Sequence, residues 1–478
     1  MKAKWLMMST AWLIGFASAI PARLAGQTAN PVPLINQPVY PEAREPGGSG
    51  FGLAVTGTGF VSGAVVLWNG GPLPTKFVSD SLLTAFVPAA KIAEAGTASI
   101  VAVNPGPGGG ASSPRFLEVT TPTARVTLSI SSYTAGSGPT SVNEGDFNHD
   151  GKADLVIANV DEVGIFFGNG DGTFQPQVTY AAGSSVRDVT VGDFNGDGIL
   201  DLAVTNPNEN TVSILLGNRN GTFRARVPYS TGPGPYGLAA ADLNGDGKLD
   251  LMITDFDAAT ISVLLGNGDG TFQPYVEYAT GSGPTSVAVG DFNRDGKLDL
   301  VTTNRYSDTI SILLGNGDGT LTSGASYPTG PLPRWVSIAD LNSDGKLDLV
   351  EVTDYPSPPT VAIYLGNGDG TFQSSVTYAI AADATSVTTG DFNGDGRLDL
   401  ATSNYNGGTG STVSILLGNG DGTFQPHKDY AAGSGPNQLV AGDFNDDGRL
   451  DLAVADQGGA SLSLLLQVPA AGTTEFEW

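Results

Sequence analysis

Short runs of Val, Ile, Leu and Thr recur along most of the chain, separated by stretches rich in Gly, Asp and Asn. One complete cycle starts at Pro284. Thr285 to Gly290 reads as strand a, Leu298 to Thr303 as strand b and Thr309 to Leu314 as strand c. Runs this short, bounded by turn residues, are strands rather than helices. Gly315-Asn316-Gly317-Asp318-Gly319 then makes a tight turn, because Asn-Gly and Asp-Gly favour hairpins, and strand d ends near Tyr327. Four antiparallel strands repeating about every 50 residues are the mark of propeller blades. The chain reads as all-β.

The two ends of the repeat region complement each other. The last unit stops after strand c, at Ser461 to Leu466. The first unit is preceded by Val126 to Tyr133, and the stretch Tyr133 to Pro139 matches Tyr278 to Pro284. An orphan d strand at one end and a missing d strand at the other predict a seven-bladed β-propeller with ring closure by an N-terminal strand, which removes both free edges. An open solenoid has no use for this complementarity. The ring is assigned to residues 121–468, with 469–478 as a tail.

The connection from strand a to strand b carries Asp-(Phe/Leu)-Asn-x-Asp-Gly-x-x-Asp. It starts at Asp146, Asp193, Asp242, Asp291, Asp340, Asp391 and Asp443, in steps of 47, 49, 49, 49, 51 and 52 residues. Side-chain oxygens stand at positions 1, 3, 5 and 9. In the first three copies they belong to Asp146, Asn148, Asp150 and Asp154; to Asp193, Asn195, Asp197 and Asp201; and to Asp242, Asn244, Asp246 and Asp250. In the next two they belong to Asp291, Asn293, Asp295 and Asp299, and to Asp340, Asn342, Asp344 and Asp348. The last two use Asp391, Asn393, Asp395 and Asp399, and Asp443, Asn445, Asp447 and Asp451. Hard oxygens on alternate residues suit Ca²⁺, which takes 6–8 oxygen ligands in irregular geometry, whereas Mg²⁺ demands a tighter octahedron. We expect about seven Ca²⁺ sites, with position 9 as the closing ligand. One copy on its own would be turn chemistry, since Asp and Asn favour turns unaided; seven copies without a substitution point to an ion. The loop is no EF-hand. Position 12 is Ile157, Val204, Ile253, Thr302, Glu351, Thr402 and Val454, so a single copy has the required Glu, and the flanks read as strands.

Composition then changes the picture in three ways. Net charge is −26, yet the ligand positions of the seven loops hold 21 of the 48 acidic residues, and seven Ca²⁺ would leave about −12. The acidity therefore belongs largely to ion sites. Nucleic acid is excluded as a partner, because phosphate binding needs a basic face. Lys2 and Lys4 ahead of an apolar run from Trp5 to Ala19 read as a secretory signal, assigned to residues 1–26, with Ala17-Ser18-Ala19 as one cleavage site and another near Gly26. The run is too short for a membrane span, and no later stretch qualifies. The expected location is secreted, at the cell surface or in the periplasm. The chain has no Cys, so calcium would replace disulfides as its staple.

Residues 27–120 follow a different pattern. Residues 27–40 are Pro-rich and read as a linker, and 105–125 read as a second linker. Between them, Leu53-Ala54-Val55, Ala64 to Trp68 and Ala98 to Val103 are short strands of a small Ig-like β-sandwich. Val55-Thr56-Gly57-Thr58-Gly59-Phe60, Val66-Leu67-Trp68-Asn69-Gly70 and Asn104-Pro105-Gly106-Pro107-Gly108-Gly109-Gly110 resemble the IPT/TIG immunoglobulin-like family. That family includes DNA-binding members, but nothing basic here supports that role. The resemblance implies a spacer module.

The repeat region resembles FG-GAP/VCBS repeat proteins, whose relatives include the integrin α-subunit propellers. The carrying residues are the seven acidic loops and the Gly-Asp-Phe-Asn entry at Gly145, Gly192, Gly290, Gly390 and Gly442. The Leu-Gly-Asn-Gly-Asp-Gly-Thr-Phe turn from Leu265 to Phe272 matches as well. The resemblance implies a β-propeller with calcium in its blade loops and an adhesive or ligand-binding role. Integrins carry the loop in a few blades and this chain in all seven, so their ligand site does not transfer.

Strand alternation puts the acidic loops and the c–d turns on one face, and the d–a and b–c loops on the other. The first face is nearly uniform, which suits structure; the second varies, which suits recognition. Just before strand a, three units have Thr-Ser, at 140, 285 and 385. The others have Arg187-Asp188, Tyr236-Gly237, Arg334-Trp335 and Asn437-Gln438. The b–c loops add Phe256, Arg305-Tyr306, Tyr355 and Tyr405. Arg and aromatic residues in exposed loops carry most binding hot spots, so Arg187, Tyr236, Arg305, Tyr306, Arg334, Trp335, Tyr355 and Tyr405 form the expected contact set for an extracellular glycan or protein ligand. The competing class is a carbohydrate-active enzyme such as a polysaccharide lyase on a propeller scaffold. The only histidines, His149 and His427, lack an evident nucleophile partner, and no catalytic residue is assigned.

Overall fold

The computed structural model describes residues 30–35, 39–41, 43–112, 114–123, 125–353 and 359–468. The expected signal, the tail and Tyr355 lie outside them. The described residues contain two short 3-10 turns, Ala89–Ile92 and Asn406–Gly408, and otherwise strands and turns. No helix among them is long and apolar enough to cross a membrane.

Residues 128–467 form seven four-stranded antiparallel sheets. The unit read from Pro284 has strands Pro284–Gly290, Asp299–Asn304, Thr309–Gly315 and Leu321–Pro328, within a residue or so of the sequence reading. Second strands such as Asp299–Asn304 are buried throughout, because neighbouring sheets cover both faces. Outer strands such as Val276–Ala279 are mostly exposed. The innermost strands lie against one another in sequence, and the last, Pro436–Gly442, lies against the first, Ser141–Gly145. The result is a closed, β-propeller-like ring.

Closure uses the predicted strand. Leu128–Thr134 pairs antiparallel with Ser461–Gln467, from Leu128 opposite Gln467 to Thr134 opposite Ser461. The seam is stapled as three of the other junctions are. A Phe at position 2 of an acidic loop meets the turn Phe of the next unit edge to face, as in Phe147–Phe223, Phe194–Phe272 and Phe292–Phe372, with centroids 5.7–5.8 Å apart. Phe444 of the last unit meets Phe174 of the first at 6.0 Å.

Ahead of the ring, a six-stranded and a three-stranded sheet share one core that includes Leu53, Val55, Val66, Trp68, Ile100 and Leu117. Both linker readings need correction here. Arg115–Val119 is a strand paired with Gly96–Asn104, because Leu117 and Val119 supply apolar anchors that the Gly/Pro content masks. Within 27–40, Ile35 and Val39 are buried in the same core, and Leu34 and Tyr40 bridge to Thr58 and Ala54.

This N-terminal unit packs on the acidic-loop face of the ring instead of standing clear as a spacer would. The Val32 N–H donates to Asp242 Oδ2 at 2.8 Å, and the Thr123 N–H donates to the Asn393 carbonyl at 2.7 Å. A Cβ on Gly247 would fall 2.4 Å from the Asn30 carbonyl, and one on Gly448 would fall 2.4 Å from the Gly96 nitrogen. Arg115 reaches the charge of Glu144 on the first inner strand, where burial pushes that carboxyl up to about 8 and the guanidinium offsets part of the rise. These contacts between the two units all fall on the acidic-loop face.

Candidate functional site

The acidic loops are self-supporting turns. In the fourth, the Asp291 oxygens accept the N–H groups of Asp295 and Gly296, Asn293 Oδ1 accepts Asp295 N–H, and Asp295 Oδ1 accepts Lys297 N–H, at 2.9–3.1 Å. The Gly at position 6 takes a φ of 78–83° in all seven copies, which is why that position is Gly. Position 9 turns inward. It opens the second strand, is fully buried, and spends both oxygens on backbone: Asp299 accepts Phe292 N–H on Oδ2 and Gly315 N–H on Oδ1. All seven copies repeat this pair of bonds at 2.7–3.1 Å. Among the described residues no three acidic or His side chains converge on one point.

The donor set nevertheless suits a hard cation. Burial pushes the position-9 carboxyls up to about 6 (Asp154, Asp299), about 7 (Asp201, Asp250, Asp348) and about 8 (Asp399, Asp451). The two backbone bonds pull each one down, and the loop's position-1 and position-5 carboxylates push it back up. The position-1 and position-5 carboxylates repel the position-9 carboxyl of each loop, and a divalent ion held among their lone pairs would offset that repulsion and favour ionisation of position 9.

On the other face the residues that break the repeat come together. Arg187, Tyr236, Arg334 and Trp335 line one funnel at the ring axis with Thr140, Ser141, Thr285, Thr385, Asn437 and Gln438. It holds about 20 Å³, room for one water. Five of the seven inner strands start with a register shift, between Pro235 and Leu238, Pro284 and Ser286, Pro333 and Trp335, Ala384 and Ser386, and Pro436 and Leu439. A bulge re-aims side chains. Here the residues inside the shift, Tyr236, Arg334 and Asn437 among them, are the ones delivered to the axis.

Sequence reading put these side chains in exposed loops; Arg187, Tyr236, Arg334 and Trp335 are instead half-buried on the lining of the funnel. Arg187 hydrogen-bonds the Tyr236 hydroxyl and stacks over its ring, 4.2 Å from the centroid. Tyr236 stacks on Phe256 at 5.5 Å, and Phe256 meets Tyr306 edge-on at 5.1 Å. An aromatic run thus leads outward from the axis to Tyr306, which is 62% exposed. Arg334 lies over Tyr405 at 5.7 Å. Burial alone would raise the Tyr236 phenol; Arg187, Arg334 and Arg305 outweigh it and hold the group below its ordinary value.

The remaining rim residues are stitches that sequence reasoning missed. Thr140, Thr285 and Thr385 donate their hydroxyls to the carbonyls of Arg187, Arg334 and Asn437 in the next unit, at 2.5–2.9 Å. Asp188 ties three units: Oδ1 accepts the Ser141 hydroxyl and Oδ2 the Leu238 N–H. Gln438 accepts the Val142 N–H. The available signal was the Thr-Ser pair itself, which is the default clamp. His427 pairs with Asp429, whose same oxygen accepts the Ser414 hydroxyl, so the carboxylate sits in the middle and the imidazole does not reach the serine as a base.

A family model for the FG-GAP-like repeat matches residues 146–204, 193–253, 242–302, 340–402 and 403–454, and one for the FG-GAP repeat matches 283–322. No curated protein matches the chain. Similar solved structures include a periplasmic gluconolactonase of Pseudomonas aeruginosa, at 14% identity over 76% of this chain and 96% of that one, with a TM-score of 0.48. A protein from Lactobacillus plantarum is 14% identical over 78% and 98%, with a TM-score of 0.47. An auxiliary nutrient binding protein from Bacteroides thetaiotaomicron is 14% identical over 92% and 98%, with a TM-score of 0.42. The five FG-GAP-like matches cover more than half of the sequence, and the chain belongs to the FG-GAP-like repeat family.

Proposed function

We propose that this is a secreted, calcium-loaded, seven-bladed propeller whose immunoglobulin-like N-terminal unit caps one face while the other face recognises an extracellular glycan or protein without catalysis. The carrying observation is the convergence of Arg187, Tyr236, Arg334 and Trp335 on the end of the axis away from the acidic loops. These positions depart from the Thr-Ser clamp, and a half-buried cluster of Arg, Tyr and Trp in a concavity is hot-spot chemistry. The test is a glycan and matrix-protein array probed with the full chain. Capture lost in Tyr236→Ala and Trp335→Ala supports recognition, and no capture on any surface overturns it.

The calcium part rests on seven identical donor sets. Positions 1, 3 and 5 would hold the ion with the position-7 carbonyl, and position 9 would contribute the lone pairs left over from its backbone bonds. At a tenfold excess of ion over Kd each site stabilises by about 1.4 kcal/mol. Chelation with EDTA should lower the Tm strongly; an unchanged melt overturns the metal reading.

One observation favours an enzyme. The Tyr236 phenol, hydrogen-bonded to Arg187 on the funnel lining, is placed where it could act as a base. A polysaccharide turnover screen separates the readings, since a lyase releases unsaturated products and a recognition module only retains the glycan.

A further inference from the structure

We infer that the funnel takes an acidic saccharide, a sugar bearing carboxylate or sulfate groups; this rests on the recognition reading above. The chain carries a net charge of −26, with 22 basic residues. Against that field, three arginines act on one phenol at the funnel: Arg187 in contact with Tyr236, and Arg334 and Arg305 near enough for their charges to reach it. Concave sites focus potential, so three guanidinium groups gathered around one phenol stand out on an acidic body. The planar guanidinium fork matches the two oxygens of a carboxylate or sulfate, which a neutral sugar does not offer.

One carboxylate, Asp188, lines the same funnel, but it is committed to the Ser141 hydroxyl and the Leu238 and Val189 N–H groups. It therefore serves the junctions between units. The anionic group of a ligand would meet Arg187 and Arg334, both on the lining. Its ring would meet apolar surface: Trp335 stands beside Arg334, and the run from Tyr236 through Phe256 to Tyr306 continues toward the rim. Arginine beside a radial line of aromatic side chains suits a chain of charged pyranose rings, whose C–H faces pack on aromatic groups, better than a flexible peptide. With room for one water in the funnel, the saccharide would lie across its mouth and not thread the ring.

The test is binding of the full chain to four probes: polygalacturonate (carboxylate sugar), dextran sulfate (sulfated sugar), dextran (neutral sugar) and poly-glutamate (acidic peptide). The expected result is capture of an acidic polysaccharide at least tenfold tighter than dextran and poly-glutamate, weakened by added NaCl. Arg187→Gln and Trp335→Ala each lower it at least tenfold, and Arg187→Lys falls in between. Arg334→Gln gives an independent second reading should Arg187→Gln shift the melt. Arg219→Gln, on an exposed turn of the opposite face, leaves binding unchanged. The first two probes separate carboxylate from sulfate. Dextran or poly-glutamate captured as tightly, and lost in Trp335→Ala, overturns the acidic-saccharide inference while keeping recognition. Capture of none of the four, together with an empty array, overturns both.

Discussion

Glu351 stands where the other six units have an apolar or threonine side chain, and it is buried with neither carboxylate oxygen hydrogen-bonded. Burial pushes it up to about 8, so it is held neutral in the fold at pH 7. The unfolded chain releases this proton near 4.5 and the folded chain holds it to about 8, so the native state binds more protons between those values. Stability is therefore lost as pH rises through that window, by on the order of 4–5 kcal/mol. Glu351→Val should raise the Tm most at pH 8, with the gain shrinking toward pH 4.5; thermal melts across that range check it, and a pH-independent gain refutes it. At this scale the ligand-type oxygens of the acidic loops were legible, because seven copies keep them unchanged. The inward turn of position 9 was not, because spacing identifies an oxygen and not the direction in which it points. The clue lay in register: that Asp opens the second strand opposite the Gly that closes the first, as Gly290 faces Asp299.

At the scale of the element, each second strand is tied to its loop and its hairpin turn by that one carboxylate. Asp299→Ala leaves the buried Phe292 and Gly315 N–H groups without an acceptor, a loss of about 2–4 kcal/mol that persists with the metal removed. Melts of the variant and the parent in EDTA test this; identical melts would assign the residue to the ion alone. In the repeat unit from Pro284, strands and hairpin were read from the sequence to within a residue or so. The register shifts at the start of the inner strands were not, because a bulge leaves no mark in hydrophobic alternation. The contact set was consequently expected in exposed loops, whereas Arg187, Tyr236, Arg334 and Trp335 line one funnel at the axis.

For the whole molecule, ring closure was legible because a missing strand and a spare one share a sequence. The docking of the N-terminal unit was not, since it is made by main-chain atoms such as Val32 N–H and by close approach at Gly247, which any sequence nearby can supply. Deleting residues 126–135 removes the outer strand of the seventh sheet and the Tyr133 contacts to Phe166 and Phe174. The truncated chain should associate through its bare edge in size-exclusion chromatography, and a synthetic peptide of those residues should restore the monomer. A truncated chain that stays monomeric without peptide would refute the role of this strand.

The closing pair also fixes how the molecule meets force. Leu128 and Gln467 face each other at one end of the seven-residue ladder, so the chain enters and leaves at the same end. Tension applied ahead of residue 128 and beyond 467 opens that ladder one pair at a time, like a zip, without loading all seven together. The N-terminal unit, clamped to the loops at Asp242 and Asn393, stands in the path of the pull and takes the strain first. A protein held by both ends in flowing liquid would be guarded from unzipping by the cap on its acidic face.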